Sequence, residues 1–322
     1  MRPPAWLGRV LRTVVLVLAV VLLVIALRDQ GPEAYAAFRD VGPAAAAGSF
    51  VAVLVGLLAS ALVWRALLAD LGTRLPLRPA THVFFLGQLG KYVPGSVFAI
   101  AAQMELGRAH GAPRSRVGTA SLVFLAVLVS AGLLTAAVAL PLTSPDALDR
   151  YAWVLGLLPV GLVLLAPPVL SRLVAVGLRV LRRDPLERPL SWRGTGAALG
   201  WALLMWAAYG VHLLLLVRTQ DVAPGPGLLA LSTGAYALAW TAGFLVVVAP
   251  AGAGVREAAL VLALSPVLDR ASALALAVLS RVLMTVGDLV WGAVGAIAGS
   301  GQDGTDVATV TKVKQLGKVA DA

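Results

Sequence analysis

The chain contains no cysteine, which excludes disulfide bonds and thiolate metal sites. Its three histidines, His82, His110 and His212, are too far apart in the sequence to suggest a cluster, so we expect no metal and no cofactor. Charged residues make up only 13% of the 322 residues. Lysine is rarer still, because Lys91 is the one lysine outside the polar segment after residue 299.

Motifs for covalent, metal or nucleotide chemistry are also missing. The sequence has no Gly-x-Ser-x-Gly elbow and no His-Glu-x-x-His helix. The run Leu89-Gly90-Lys91-Tyr92 lacks both the earlier glycine and the Ser or Thr of a phosphate-binding P-loop. Asp303 and Asp306 lie beyond the apolar region and do not suggest a diphosphate site. We therefore expect that the protein is not an enzyme.

Apolar residues dominate what is present. Hydrophobic residues account for 59% of the chain, and the mean hydropathy is +0.89. This composition is typical of an integral membrane protein, and recurring apolar runs leave no stretch for a soluble domain. The net charge of +10 comes from arginines that punctuate these runs, so nucleic acid is not an expected partner.

The apolar runs predict an all-α, polytopic helical bundle with about seven membrane spans and two broken segments. The first run follows three arginines and has no small-residue cleavage site, so we interpret it as an uncleaved anchor with a cytoplasmic N-terminus. We expect a membrane domain over 1–299 and a polar, disordered tail over 300–322. The predicted spans are 10–27, 44–64, 117–140, 151–170, 196–217, 228–249 and 271–299, and the broken segments are 83–104 and 250–266.

The broken segment 83–104 contains Lys91, Pro94 and Gly95 inside an apolar run. Backbone groups released at such a break survive in a bilayer only when buried in protein or lining a polar cavity. Basic residues flank the segment on both sides, which favours a hairpin that enters and leaves from the cytoplasm. A proline-kinked spanning helix is the alternative.

A second break at Pro250, Gly252 and Gly254 suggests that the pattern of 44–140 is repeated, more loosely, over 228–299. Paired interrupted segments are typical of transporter binding sites. Chance similarity between Ala/Leu/Val-rich stretches is the alternative. We predict that Lys91, Tyr92 and the N-terminus of a helix that restarts at Ser96 bind an anionic headgroup, because helix N-termini attract phosphate. Both residues have a structural alternative to substrate binding. Lys91 would snorkel, reaching the lipid headgroups from a shallow position, and Glu257 would cap a helix.

Arg281 and Asp288 share one face of the last predicted span and must find partners within the bundle. We expect Glu257 to pair with Arg281. These charges either line the transport path or form an ion pair that fixes helix packing. Gly196-x-x-x-Gly200 and Gly295-x-x-x-Gly299 are small-residue spacings that allow close helix contact. The predicted substrate-binding residues are Lys91, Tyr92, Pro94, Gly95, Ser96, Gln103, Pro250, Gly252, Gly254, Arg256, Glu257, Arg281 and Asp288.

Two motifs resemble the flippase-like transmembrane family, which includes the membrane half of bacterial lysylphosphatidylglycerol synthases. They are Leu89-Gly90-Lys91-Tyr92-Val93-Pro94-Gly95-Ser96 with Gln103, and Pro250-x-Gly252-x-Gly254-Val255-Arg256-Glu257. The resemblance implies a multi-span domain that moves lipids or lipid-linked groups between leaflets of the bacterial cytoplasmic membrane. It covers the membrane part alone, so lipid lysylation is not expected. The run 121–127 also lacks the acidic-basic pair common in that family.

The sequence-based hypothesis is therefore a flippase-like protein that translocates or binds anionic lipids or lipid-linked substrates. A membrane scaffold for a cell-envelope glycolipid enzyme is one alternative, and a proton-coupled transporter of a small solute is another. Expected partners are a membrane lipid and either a second copy of the chain or an envelope enzyme.

Overall fold

The computed structural model describes residues 39–92, 97–143, 152–180, 188–245 and 254–320, with the backbone alone for 97, 226 and 300–320. These residues include ten α-helices and two short 3-10 turns, Leu89–Tyr92 and Leu140–Leu142. The helices are α1 Pro43–Asp70, α2 Leu77–Gln88, α3 Val97–Ala109, α4 Arg114–Ala139, α5 Leu157–Leu165, α6 Pro167–Val180, α7 Trp192–Val217, α8 Pro226–Leu245, α9 Val255–Leu264 and α10 Arg270–Ala320.

Five of the helices are long and apolar enough to cross a bilayer, which confirms the predicted all-α membrane class. They are Pro43–Asp70, Arg114–Leu142, Trp192–Val217, Gly227–Leu245 and Arg270–Gly299. Their apolar residues run all round the helix, as expected for helices packed between protein and lipid. The predicted span 10–27 lies outside the described residues.

The predicted span 151–170 is broken. Ala152–Leu165 and Pro167–Val180 meet at an angle of 77°. Ala166 between them is extended, with φ of −63° and ψ of 122°, because the residue before a proline avoids the helical conformation. Pro167 and Pro168 therefore turn the chain within this segment.

The broken segment 83–104 is a helical hairpin. A β-carbon at Gly90 would lie 2.7 Å from the Ala99 nitrogen, so the 3-10 turn after α2 approaches α3 as closely as a glycine permits. With 12 and 13 residues, these helices are about 18 and 20 Å long, which is less than the hydrocarbon thickness of about 30 Å. The hairpin therefore leaves the bundle at the end where it entered.

The second break forms another hairpin. α8 runs antiparallel to α4, with Gly227 against Thr143 and Gly132 against Thr241. The chain then turns back, and α9 lies along α8 with Arg256 beside Gly243. α9 has only 10 residues and leads directly into α10.

The two hairpins enter from opposite ends of the bundle. Asp70 of α1 binds Ser191 before α7, and Ser49 binds His212 near the other end of α7, so α1 and α7 are antiparallel. The sequence of helix, hairpin and helix over α1–α4 thus recurs inverted over α7–α10. This arrangement is the inverted repeat found in many transporters, although the sequence analysis paired residues 44–140 with 228–299.

The end that holds Asp70 also carries most of the described basic residues, and we call it the basic end. Arg74, Arg78, Arg108, Arg114, Arg116, Arg188 and Arg193 lie there, against Arg39, Arg218 and Arg270 at the opposite end. At the latter end, Asp269 caps α10 by accepting hydrogen bonds from the nitrogens of Ala271 and Ser272, at 2.9 and 3.0 Å. Hydrogen bonds from Ser272 hold the pKa of Asp269 below its ordinary value.

Small-residue spacings allow a close helix contact at two places, and the described residues make this contact at one of them. Gly295 packs against Leu86 and Gly299 against His82, which confirms a close contact between α10 and α2. Among the described residues, nothing lies within 4 Å of a β-carbon at Gly196 or Gly200. Both glycines are on the exposed side of α7. The helix α10 also continues through the predicted tail to Ala320.

Cysteine pairs can test whether α9 folds back, since the chain has no cysteine of its own. A β-carbon at Gly243 would lie 3.0 Å from that of Arg256, close to disulfide geometry. In one straight helix these positions would be about 20 Å apart. We expect Gly243→Cys with Arg256→Cys to cross-link upon oxidation. When a protease cuts the chain between the two positions, the cross-link keeps both fragments together on a non-reducing gel.

The matched control is Gly243→Cys with Leu262→Cys, because Leu262 is 73% exposed on the outer side of α9. Equal cross-linking of both pairs would show nonspecific collision. A lack of cross-linking in the first pair would contradict the hairpin.

Candidate functional site

The polar residues of α10 form one stripe inside the bundle. Arg281, Thr285 and Asp288 follow the spacing i, i+4 and i+7, which places them on one helical face. Each charge would cost about 2.5–3.5 kcal/mol at the bilayer centre if it had no partner. Both find partners, and each partner comes from a different hairpin.

Lys91 and Tyr92 of the first hairpin bind Asp288. The Lys91 Nζ lies 2.7 Å from Asp288 Oδ2, and the Tyr92 hydroxyl donates to the same oxygen at 2.6 Å. The 3-10 turn that ends α2 places both side chains toward α10. The Lys91 ammonium also lies 5.5 Å from the centre of the Tyr92 ring, which is within the range of a cation–π contact.

Exposure differs sharply between the two ion-pair partners. The Lys91 side chain is 34% exposed, whereas that of Asp288 is only 6% exposed. Asp288 thus lies behind Lys91, and an anion that reaches this site meets the ammonium group first. The carboxylate and the incoming anion would compete for the same cation.

Glu257 of the second hairpin binds Arg281. Its Oε1 accepts a hydrogen bond of 3.1 Å from Arg281 Nη1, and its Oε2 accepts one of 2.6 Å from the Gly254 nitrogen. The side chains of Arg281 and Glu257 are 23% and 16% exposed. Glu257 therefore fulfils both predictions, since it caps the first turn of α9 and pairs with α10.

Arg256 faces the interior of the bundle and binds α8. Its guanidinium donates to the Tyr236 hydroxyl and lies 4.7 Å from the centre of the Tyr236 ring. The Tyr236 ring contacts His212 edge-on at 5.7 Å. This cluster ties α8 and α9 to α7.

His212 is fully buried between two hydroxyl groups. Ser49 Oγ lies 2.6 Å from its Nδ1, and Ser280 Oγ lies 2.8 Å from its Nε2. Both ring nitrogens are thus satisfied by α1 and α10. The interaction holds the first helix of each repeat against the last helix.

Gln103 does not join the ion pairs. It is 3% exposed, and its Oε1 accepts a 2.6 Å hydrogen bond from Ser121. Ser121 in turn accepts a 3.1 Å hydrogen bond from Trp64 Nε1. Gln103 therefore fixes α3 to α4 and α1, and Ser121 provides a neutral polar link in the run 121–127.

Of the predicted site residues, Lys91, Tyr92, Glu257, Arg281 and Asp288 meet along α10, and Gly254 and Arg256 lie next to them. Pro94, Gly95, Ser96, Pro250 and Gly252 lie outside the described residues. α3 begins at Val97, directly after the predicted cap. Lys91 and Tyr92, before the first break, and Glu257, after the second, contact the same stripe of α10.

The sequence analysis missed Thr285, Tyr236, His212, Ser280 and Ser49. Thr285 was detectable, because it completes the i, i+4, i+7 spacing between Arg281 and Asp288. Ser49, His212 and Ser280 belong to contacts between helices far apart in the chain, and Tyr236 contacts the helices before and after its own. No local pattern indicates either kind of contact.

A comparison with curated proteins finds no match. A family profile described as "Lysylphosphatidylglycerol synthase TM region" matches residues 10–292. This match includes both hairpins and both ion pairs and covers most of the chain. The chain therefore belongs to the family of lysylphosphatidylglycerol synthase transmembrane regions, a multi-pass membrane family related to lipid metabolism or transport.

Proposed function

We propose that the protein translocates anionic lipids or lipid-linked substrates between leaflets, without chemical modification of the substrate. The observation that carries this proposal is the Lys91–Asp288 pair, in which a partly exposed cation at a helix break is held by a buried carboxylate. Membership of a lipid-related family and the inverted hairpins support it. The substrate is a lipid with a phosphate headgroup.

In this mechanism the headgroup phosphate displaces Asp288 from Lys91. The released carboxylate retains the Tyr92 hydroxyl, so its negative charge does not stay without a partner. The start of α3 supplies a positive helix end beside the break. Glu257 and Arg281 hold the opposing hairpin closed until the substrate has passed Lys91.

The basic end faces the cytoplasm in this proposal, according to the positive-inside rule. The first hairpin then opens to the cytoplasmic leaflet of a bacterial cytoplasmic membrane. Since α1 begins at the opposite end, the predicted span 10–27 brings the N-terminus to the cytoplasm. The α10 span ends on the cytoplasmic side as well.

A fluorescent-lipid assay in reconstituted vesicles tests the proposal. Labelled phosphatidylglycerol that reaches the outer leaflet becomes accessible to dithionite. We expect Lys91→Met to slow translocation by about ten- to a hundredfold, because a hydrogen bond to a charged group contributes about 1.5–3 kcal/mol. Arg108→Met is the matched control, since Arg108 is 63% exposed and lies outside the site.

Vesicles with wild-type protein that scramble no faster than protein-free vesicles would refute translocation and favour a scaffold. A wild-type rate that Lys91→Met leaves unchanged would remove Lys91 from the mechanism. Solute uptake that requires a proton gradient, in the absence of lipid translocation, would instead indicate the proton-coupled transporter.

A further inference from the structure

A separate cavity lies at the basic end, between α1, α7 and the connection from α1 to α2. It has a volume of about 260 Å³. Its lining residues are Leu62, Arg65, Ala66, Ala69, Arg74, Leu75 and Trp201. None of them belongs to the Lys91 site, so this cavity is independent of the proposed translocation path.

The end of α1 builds the polar side of this cavity. Gly72 has a φ of +92°, and the nitrogens of Gly72 and Thr73 donate to the carbonyls of Ala69 and Leu68. This Schellman motif ends the helix and turns the chain back along it. Arg65 Nε then donates to the Leu75 carbonyl at 2.9 Å, which fixes the returning segment.

The turn leaves two guanidinium groups at one side of the cavity. Arg65 uses its Nε for Leu75, and Arg74 is exposed. Among the residues that the structure describes, Arg74 has neither an ion-pair nor a hydrogen-bond partner. Asp70, the neighbouring acid on α1, already accepts hydrogen bonds from the Ser191 nitrogen and hydroxyl, at 2.8 and 2.5 Å.

The other wall of the cavity is apolar and continues into the lipid-facing surface of α7. Trp201 is 39% exposed, and Leu204, about one turn further along the same helix face, is 45% exposed. Leu62 and Ala66 form the facing wall. The cavity therefore has a cationic side near the membrane surface and an apolar side that opens toward hydrocarbon.

We propose that this cavity binds one phosphate-bearing anionic lipid of the leaflet at the basic end. Its phosphate binds Arg65 and Arg74, and its glycerol region packs against Trp201. The volume is below the range of about 300–1,000 Å³ that encloses a drug-sized ligand, so the acyl chains remain outside along α7. Guanidinium groups favour such a phosphate because they donate in a forked, bidentate geometry.

Trp201 is a built-in probe for this lipid. The emission of Trp201 is obtained by subtracting the fluorescence of Trp201→Phe from that of the wild type, both in phosphatidylcholine vesicles. We expect phosphatidylglycerol with brominated acyl chains to quench this emission at a lower mole fraction than brominated phosphatidylcholine does. An arginine near the surface contributes about 1 kcal/mol, so the preference should be about fivefold per arginine.

Arg74→Gln leaves the Arg65–Leu75 hydrogen bond intact, so this variant keeps the conformation of the loop. Its preference for phosphatidylglycerol should be about fivefold lower than that of the wild type. Arg65→Gln with Arg74→Gln should quench equally with both lipids. The control is Arg108→Gln with Arg193→Gln, which removes two exposed arginines from the same end and should retain the full preference.

Equal quenching by both lipids in the wild type would overturn the proposal, and so would a preference that survives in the double variant. Inorganic phosphate, added at rising concentration, separates the two sources of phosphate. If it abolishes the preference at millimolar concentration, the cavity recognises free phosphate and the lipid assignment is wrong. Translocation rates do not enter this measurement, so it stands apart from the test of Lys91.

Discussion

Lys91→Met is expected to lower the free energy of unfolding by about 3–5 kcal/mol, the usual cost of removing one partner of a buried ion pair. The cost arises because Asp288, whose side chain is only 6% exposed, would keep its charge without the Lys91 ammonium. Without Lys91 this carboxylate keeps just the Tyr92 hydroxyl among the partners that the structure describes. Thermal or denaturant unfolding in detergent measures the change.

The converse variant should be milder. Asp288→Asn can still accept the Tyr92 hydrogen bond, and the Lys91 side chain it leaves is 34% exposed and can reach water. Combining Lys91→Met with Asp288→Asn removes both charges, so most of the lost stability should return. An additive loss in the double variant would contradict a direct pair.

The double variant also separates stability from function. It should fold nearly as well as wild type and yet translocate anionic lipid as slowly as Lys91→Met alone. A double variant that regains both stability and translocation would assign Lys91 a purely structural role.

Glu257→Gln is expected to cost about 3–5 kcal/mol as well, because it leaves Arg281 without its carboxylate. The amide oxygen of glutamine can still accept the Gly254 hydrogen bond, so the cap of α9 is preserved. Glu257→Ala removes the cap too and should cost about 1 kcal/mol more.

This series separates the two roles of Glu257. If capping were its whole contribution, Glu257→Gln would be as stable as wild type and Glu257→Ala would lose about 1 kcal/mol. Arg281→Met provides the reciprocal measurement, and it should match Glu257→Gln. Unfolding in the same detergent measures all three variants.

The sequence predicted the hairpin at Lys91 for a physical reason. Basic residues flank it on both sides, and arginines such as Arg78 and Arg108 cannot lie on opposite sides of a membrane without breaking the charge asymmetry. The spacing of Arg281 and Asp288 likewise indicated a shared face, since helical periodicity is local.

Side-chain pairing between helices was harder to predict. Arg256 was predicted to bind substrate, and it binds Tyr236 on the neighbouring helix. Gln103 was assigned to the substrate and instead binds Ser121. Both outcomes depend on which helices pack together, and a sequence of nearly uniform apolar residues carries little information about helix neighbours.

Small-residue spacing is ambiguous for a related reason. Gly295 and Gly299 contact α2, whereas Gly196 and Gly200 have nothing within 4 Å among the described residues. The spacing permits a close approach between helices but does not specify that one occurs.

The stripe on α10 also has a consequence for biogenesis. As the last helix of the bundle to be synthesised, α10 would carry Arg281 and Asp288 into the bilayer at a cost of about 2.5–3.5 kcal/mol for each unpaired charge. Lys91 and Glu257 precede it in the chain, so both counter-charges are already in place when α10 leaves the ribosome. Before α10 inserts, Lys91 has no carboxylate partner on that helix. The two hairpins therefore form a single site only when α10 has packed against both of them.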